Sequence, residues 1–160
     1  MAGSRFDPCH LGVLDFGRSG RHAVSMLQQL HIENYALIER LALDFGPGLN
    51  LLTGETGSGK SIVVDTLGLL LGGRSSPETI RAGAERAVVC GLFQTAPSRE
   101  LRRAAEEFGL ELEEGGELLL KREIHLSGRT RAFINDRPAT VAALRALSAW
   151  LGDIHGQNEQ

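Results

Sequence analysis

Eight consecutive residues, Gly54-Glu55-Thr56-Gly57-Ser58-Gly59-Lys60-Ser61, constrain the fold of this chain more than anything else in it. They satisfy the pattern G-x-x-x-x-G-K-[ST] in full, a loop that takes phosphate groups where a strand turns into a helix. Each residue type has a physical reason. Glycines let the backbone curl until successive N–H groups point inward, with no Cβ in the way of an anion. The helix that follows adds its own unpaired N–H groups and its positive end. Lys60 brings a compact ammonium to the β- and γ-phosphates, and Ser61 brings a hydroxyl to the Mg²⁺ that bridges them. The chain uses arginine fifteen times and lysine twice, yet lysine holds the cradle position, as expected where the shape of the head group matters.

The flanks suit this reading. Residues 49–53 form a short apolar run that predicts a strand entering the loop, and residues 61–71 are apolar nearly all round, as in a helix buried between layers. Gly72-Gly73 predicts its stop. Two further strands come first: Leu30 and Ile32 alternate with His31 and Glu33, and Leu41, Leu43 and Phe45 alternate with Ala42 and Asp44. Beyond the helix, a strand is predicted over residues 87–93. Ser98 is placed to cap a helix that runs to about Phe108. The acidic run Glu111, Glu113, Glu114 and Glu117 reads as a solvated loop. Leu118, Leu120, Ile124 and Leu126 share one strand face, with Lys121, Glu123 and His125 on the other; residues 129–135 return as the second strand of a hairpin. Thr140 caps a last helix over residues 141–151.

Composition narrows the class. The 160 residues suit one domain with a real core. A formal charge of −3 excludes a polybasic tail as the means of holding nucleic acid. Cys9 and Cys90 lie far apart and form no CxxC pair, which excludes a cysteine-rich zinc site and makes a reducing cytoplasm the expected compartment. The apolar stretch over residues 62–71 is too short to span a membrane, so no membrane partner is expected. Residues 1–25 lack apolar periodicity and read as an unstructured extension before a domain at 26–160, a transit peptide being the competing reading.

The lead-in Leu30-His31-Ile32-Glu33-Asn34-Tyr35-Ala36-Leu37-Ile38, then Leu41-Ala42-Leu43-Asp44-Phe45 and Gly48-Leu49-Asn50-Leu51-Leu52-Thr53-Gly54, resembles the opening of the SMC-like branch of the ABC-type ATPases. Within it, the Glu55-Thr56 pair, Leu67-Gly68-Leu69-Leu70-Leu71-Gly72-Gly73-Arg74, Phe133-Ile134-Asn135 and Ile154-His155-Gly156-Gln157 look like the RecN family of bacterial DNA repair ATPases. The resemblance covers residues 26–160. It implies an α/β fold: the N-terminal lobe of a P-loop ATPase head, with an antiparallel β lead-in, P-loop, central helix and mixed sheet, cut off before a coiled coil. It implies that Gly54 to Ser61 hold ATP and Mg²⁺, that Gln157 is the Q-loop glutamine at the Mg²⁺ shell, and that Arg81 links DNA sensing to the ATP site. His155 belongs to the same pattern. A surface arginine and a solvated glutamine are the competing readings of Arg81 and Gln157.

The implied partners are double-stranded DNA and its ends, the C-terminal lobe of the same head, and a second head in a homodimer. The implied place is the bacterial cytoplasm at the nucleoid. No catalytic carboxylate, signature loop or switch histidine is recognisable in these residues, so weak nucleotide binding and negligible hydrolysis are expected of this chain by itself. The hairpin over residues 121–137 carries five basic side chains against Glu123 and Asp136, but no aromatic interleaving for base stacking, which favours a solvated face over a DNA contact. Two other functions compete: a transporter-type ABC subunit, opposed by the Glu-Thr pair and the Ile-His-Gly-Gln run, and a small P-loop kinase, opposed by the two leading strands.

Overall fold

The computed structural model describes residues 25–53, 59–96, 98–112 and 115–152. Most of the expected extension (residues 1–24), Gly54 to Ser58 of the phosphate loop, Glu113 and Glu114 of the acidic run, and His155 and Gln157 lie outside the described residues.

Six strands form one sheet. β1 (Met26–Tyr35) and β2 (Ile38–Asp44) make a hairpin; then come α1 (Lys60–Leu70), β3 (Arg86–Gln94), α2 (Arg99–Glu106), β4 (Glu117–His125), β5 (Thr130–Ile134), β6 (Arg137–Ala139) and α3 (Val141–Leu151). The spatial order is β2-β1-β3-β4-β5-β6. Period-two alternation decides which side chains reach the core. Leu30 and Ile32 of β1, Ala87, Val89 and Phe93 of β3, Leu118, Leu120 and Ile124 of β4, and Ala132 and Ile134 of β5 join one buried cluster with all three helices. The opposite face holds a small apolar pair, Val88 and Cys90, with Leu119 packed on it. The helices therefore cover one face, giving two layers.

Local chemistry places the boundaries. Ser98 accepts the Leu101 N–H at 3.1 Å and Thr140 accepts the Ala143 N–H at 3.1 Å, the two predicted caps. Asn135 and Asp136 both adopt positive φ, 49° and 60°, in the two-residue turn between β5 and β6. Asn135 also exchanges bonds with Leu119 of β4: its amide donates to the Leu119 carbonyl, and its side-chain oxygen accepts the Leu119 N–H, each at 2.8 Å. Ser25 donates its hydroxyl to the Trp150 carbonyl, tying the start of β1 to α3.

Three expectations need correction. The sheet is not mixed, because every strand pairing is antiparallel. The predicted strand over residues 49–53 is absent. Asn50 instead closes a turn, exchanging side-chain bonds with the Gly46 N–H at 3.0 Å and the Gly46 carbonyl at 2.8 Å. Leu49 and Leu51 then stand 89% and 78% exposed. An apolar run becomes a strand only when a partner takes its N–H and C=O groups, and this run pairs with no strand of the described sheet. Finally, α1 is buried on one side only. Val63, Thr66, Leu69 and Leu70 face the sheet, while Ser61, Val64 and Asp65 are exposed.

Candidate functional site

The site is built on the two ends of α1. At its start, Gly59 holds φ 92° and ψ 4°, a left-handed conformation that glycine adopts without a steric penalty, and space around its Cα is open. Lys60 is the first helical residue and Ser61 the exposed second. Among the described residues, the first α1 hydrogen bond runs from the Val63 N–H to the Gly59 carbonyl at 3.2 Å. α2 and α3 each have a hydroxyl across their first N–H groups; α1 has no side-chain cap and no acidic residue in its first turn. A helix start of this kind, with its positive end and an ammonium, is suited to an anion. The residues present therefore fit phosphate with a divalent cation: open backbone at Gly59, an ammonium at Lys60 and a hydroxyl at Ser61.

The other end is closed. Gly72, at φ 90°, donates to the Leu69 carbonyl at 3.1 Å, and Gly73 donates to the Gly68 carbonyl at 2.8 Å, a Schellman pair that ends the helix where the sequence predicts. Packing here is tight. A Cβ on Gly72 would sit 2.9 Å from the Arg145 backbone nitrogen, and one on Gly91 of β3 would sit 2.7 Å from the Leu70 side chain. Two arginines from other elements donate to carbonyls at and just past this end. Arg122 of β4 donates to Leu69 at 3.0 Å and Gly73 at 3.4 Å, and Arg145 of α3 donates to Gly72 at 2.9 Å. Arg122 also reaches the Thr130 hydroxyl at 3.1 Å and the Ser75 hydroxyl at 3.5 Å.

Arg122 is the residue that sequence reading misses. It is 1% exposed and heads the fully buried side chains by volume. Burial pushes its guanidinium below the ordinary arginine value. The signal was parity: position 122 lies between Leu120 and Ile124 on the core face, a place where arginine needs a reason.

Arg81 lies against the β1–β2 turn. Its amide donates to the Asn34 carbonyl at 2.9 Å, and its half-exposed guanidinium pairs with Glu39 of β2 at 3.4 Å. Next to it, Ile80 bridges to Tyr35. Burial raises the Tyr35 hydroxyl pKa, a bond with Thr79 opposes the rise, and Asp65 of α1 adds to it. The 121–137 hairpin has much of its charge engaged: the Lys121 ammonium lies 4.6 Å over the Phe133 ring and 3.8 Å from Glu123, which Arg86 and His125 also approach, at 3.9 and 3.6 Å. No metal-binding group of His, Cys, Asp and Glu occurs among the described residues, and none of their helices is long and apolar enough to cross a membrane.

Comparison with known proteins bears on the same residues. The chain matches the AAA domain family over residues 29–136. It is 43% identical over 134 residues to the DNA repair protein RecN of Halalkalibacterium halodurans, an alignment covering 84% of this chain and 24% of that protein. The DNA repair protein RecN of Vibrio cholerae is 40% identical over 133 residues, covering 83% and 24%. The chain thus spans about a quarter of the length of these relatives. Among solved structures, the Smc head domain of Pyrococcus furiosus superposes with a TM-score of 0.63 at 21% identity, covering 80% of this chain and 33% of that one. The recombination mediator RecF bound to ATP superposes with a TM-score of 0.60 at 18% identity, covering 79% and 31%. The likeness to these structures is one of fold.

Proposed function

From the premise that this chain belongs to the AAA domain family, as a RecN-type member, we propose that it is the ATP-binding lobe of a head that acts in DNA double-strand break repair and recombination. One observation carries the reading: α1 alone of the three helices starts on a left-handed glycine with no side-chain cap, followed by Lys60 and Ser61. Gly54 to Ser61 would hold the triphosphate, with Lys60 on the β- and γ-phosphates and Ser61 on Mg²⁺. The bound Mg²⁺–nucleotide supplies a γ-phosphate whose presence or loss a head can read.

The finer parts of the proposal rest on the resemblance. Gln157 joins the Mg²⁺ shell, and Arg81 couples DNA to the nucleotide. DNA ends, the complementary lobe of the head and a second head are the partners, in the bacterial cytoplasm. The ion pair of Arg81 with exposed Glu39 suits a side chain that can exchange a weak partner for a phosphate.

The test is equilibrium binding of a fluorescent ATP analogue with Mg²⁺ to the chain and to Lys60→Ala. A charge-assisted contact of about 1.5–3 kcal/mol corresponds to a loss of roughly 10- to 150-fold in affinity. Equal affinity of the two proteins removes the reading.

A further inference from the structure

The described structure contains one large cation where stability alone gives no reason for it. Arg122 stands in the core-face row of β4 between Leu120 and Ile124, almost wholly withdrawn from water. Its hydrogen bonds go to two carbonyls and two hydroxyls, and its Nε has no hydrogen-bond partner. A well-packed apolar residue of similar volume commonly serves a core as well as, or better than, a buried ion. What the guanidinium can do, and an apolar side chain cannot, is oppose the negative end of a helix dipole. That end belongs to α1, which has no basic residue in its own last turn. Arg145 supplies a second cation to the same end from α3.

We propose that Arg122, assisted by Arg145, is a positioning residue for the nucleotide site: it locks the C-terminal end of α1 to β4 and so sets where Gly59, Lys60 and Ser61 stand. The inference rests on the reading of that site as nucleotide-binding. α1 has eleven residues, about 16 Å at 1.5 Å per residue, so a small tilt about its fixed end moves its start. The grip also spans layers. Arg122 reaches β5 through Thr130 and the segment after α1 through Ser75, so one side chain ties the sheet, the helix and its exit together. Arg122 touches no phosphate; it acts through the helix.

The experiment compares the whole chain with Arg122→Met, Arg122→Lys, Arg145→Gln and Lys60→Ala, by affinity for the fluorescent ATP analogue with Mg²⁺ and by thermal unfolding. Arg122→Met is expected to stay folded, with a modestly lower Tm, while losing affinity about two- to fivefold, the range of a charge at a helix end. Arg122→Lys should recover part of that loss. Amide exchange adds a readout without nucleotide: in Arg122→Met the Val63 N–H should exchange faster, whereas a purely local role speeds only residues 71–73. Undiminished affinity of a folded Arg122→Met overturns the proposal. Should that variant not fold, Arg145→Gln decides, because its partly exposed side chain gives up a single carbonyl contact; unchanged affinity there overturns the proposal too. If the parent chain and Lys60→Ala are equally inert toward nucleotide, the site reading fails and takes this inference with it, an outcome separate from one in which Lys60 matters and Arg122 does not.

Discussion

The two ends of α1 are made on opposite plans. The first begins on an open glycine, has no side-chain cap and leaves Ser61 in solvent. The last is shut by a Schellman pair, two arginines from β4 and α3, and glycines where neighbours press within 3 Å. One end carries the chemistry suited to an anion, and packing collects where nothing has to enter. Packing energy should therefore concentrate at the closed end and direct ligand contact at the open one, with Arg122 linking the two through the helix.

Substitutions at the closed end should show the largest stability effects. Leu70, wholly buried against Gly91, becomes a cavity in Leu70→Ala, costing about 2–5 kcal/mol, as chemical denaturation would show. Gly72→Ala sets a Cβ at positive φ against the Arg145 backbone, and the combined strain should cost about 1–3 kcal/mol by the same measurement. If either variant leaves stability intact, the two ends do not differ as described.

Smaller effects sharpen the contrast. Burial lowers the pKa of His31, on the sheet face away from α1, outweighing the attraction of Glu33 and reinforced by Arg40. The folded chain therefore prefers its neutral form. Stability from this group is present above the ordinary histidine value of about 6.5 and is lost as pH falls through it toward the lower folded value. His31→Gln should flatten the drop in Tm between pH 7.5 and 5.5 without touching nucleotide affinity. At the open end, Ser61→Ala should move stability by no more than about 0.5 kcal/mol, because its side chain is exposed. It should, however, weaken the Mg²⁺ dependence of nucleotide binding in a titration. Leu51→Ser, at the exposed run before the loop, should be the mildest change of all by thermal unfolding.

Much of this molecule was readable in advance where local rules decide. Alternation placed β1, β2 and β4, hydroxyls placed the starts of α2 and α3, and paired glycines placed the end of α1. The start of α1 was readable at Gly59 and Lys60, because the phosphate pattern is itself local. What escaped reading depends on distant partners. Residues 49–53 have a strand's composition but pair with no strand of the described sheet, and the exposed side of α1 depends on which layers are present to cover it. Arg122 escaped because charge normally marks the solvent face of a strand. Only its alternation with Leu120 and Ile124 said otherwise, and its reason lies 53 residues upstream at Leu69. Arg81 was singled out by the family resemblance, and its pairing with Glu39 could be seen only once β2 had brought that carboxylate round.

The strand order has a kinetic side. β1 and β2 close on each other across two residues, and β4, β5 and β6 follow in an unbroken meander, so both can form early from neighbouring chain. The seam between β1 and β3 is different: Ile32 must find Val89 across the whole excursion that carries the loop and α1. Closing so long a segment costs entropy before any contact repays it. The seam is thus the expected bottleneck in the chain's assembly, whereas α1, whose main contacts are with β3 and β4, can dock on the part of the sheet that forms without it.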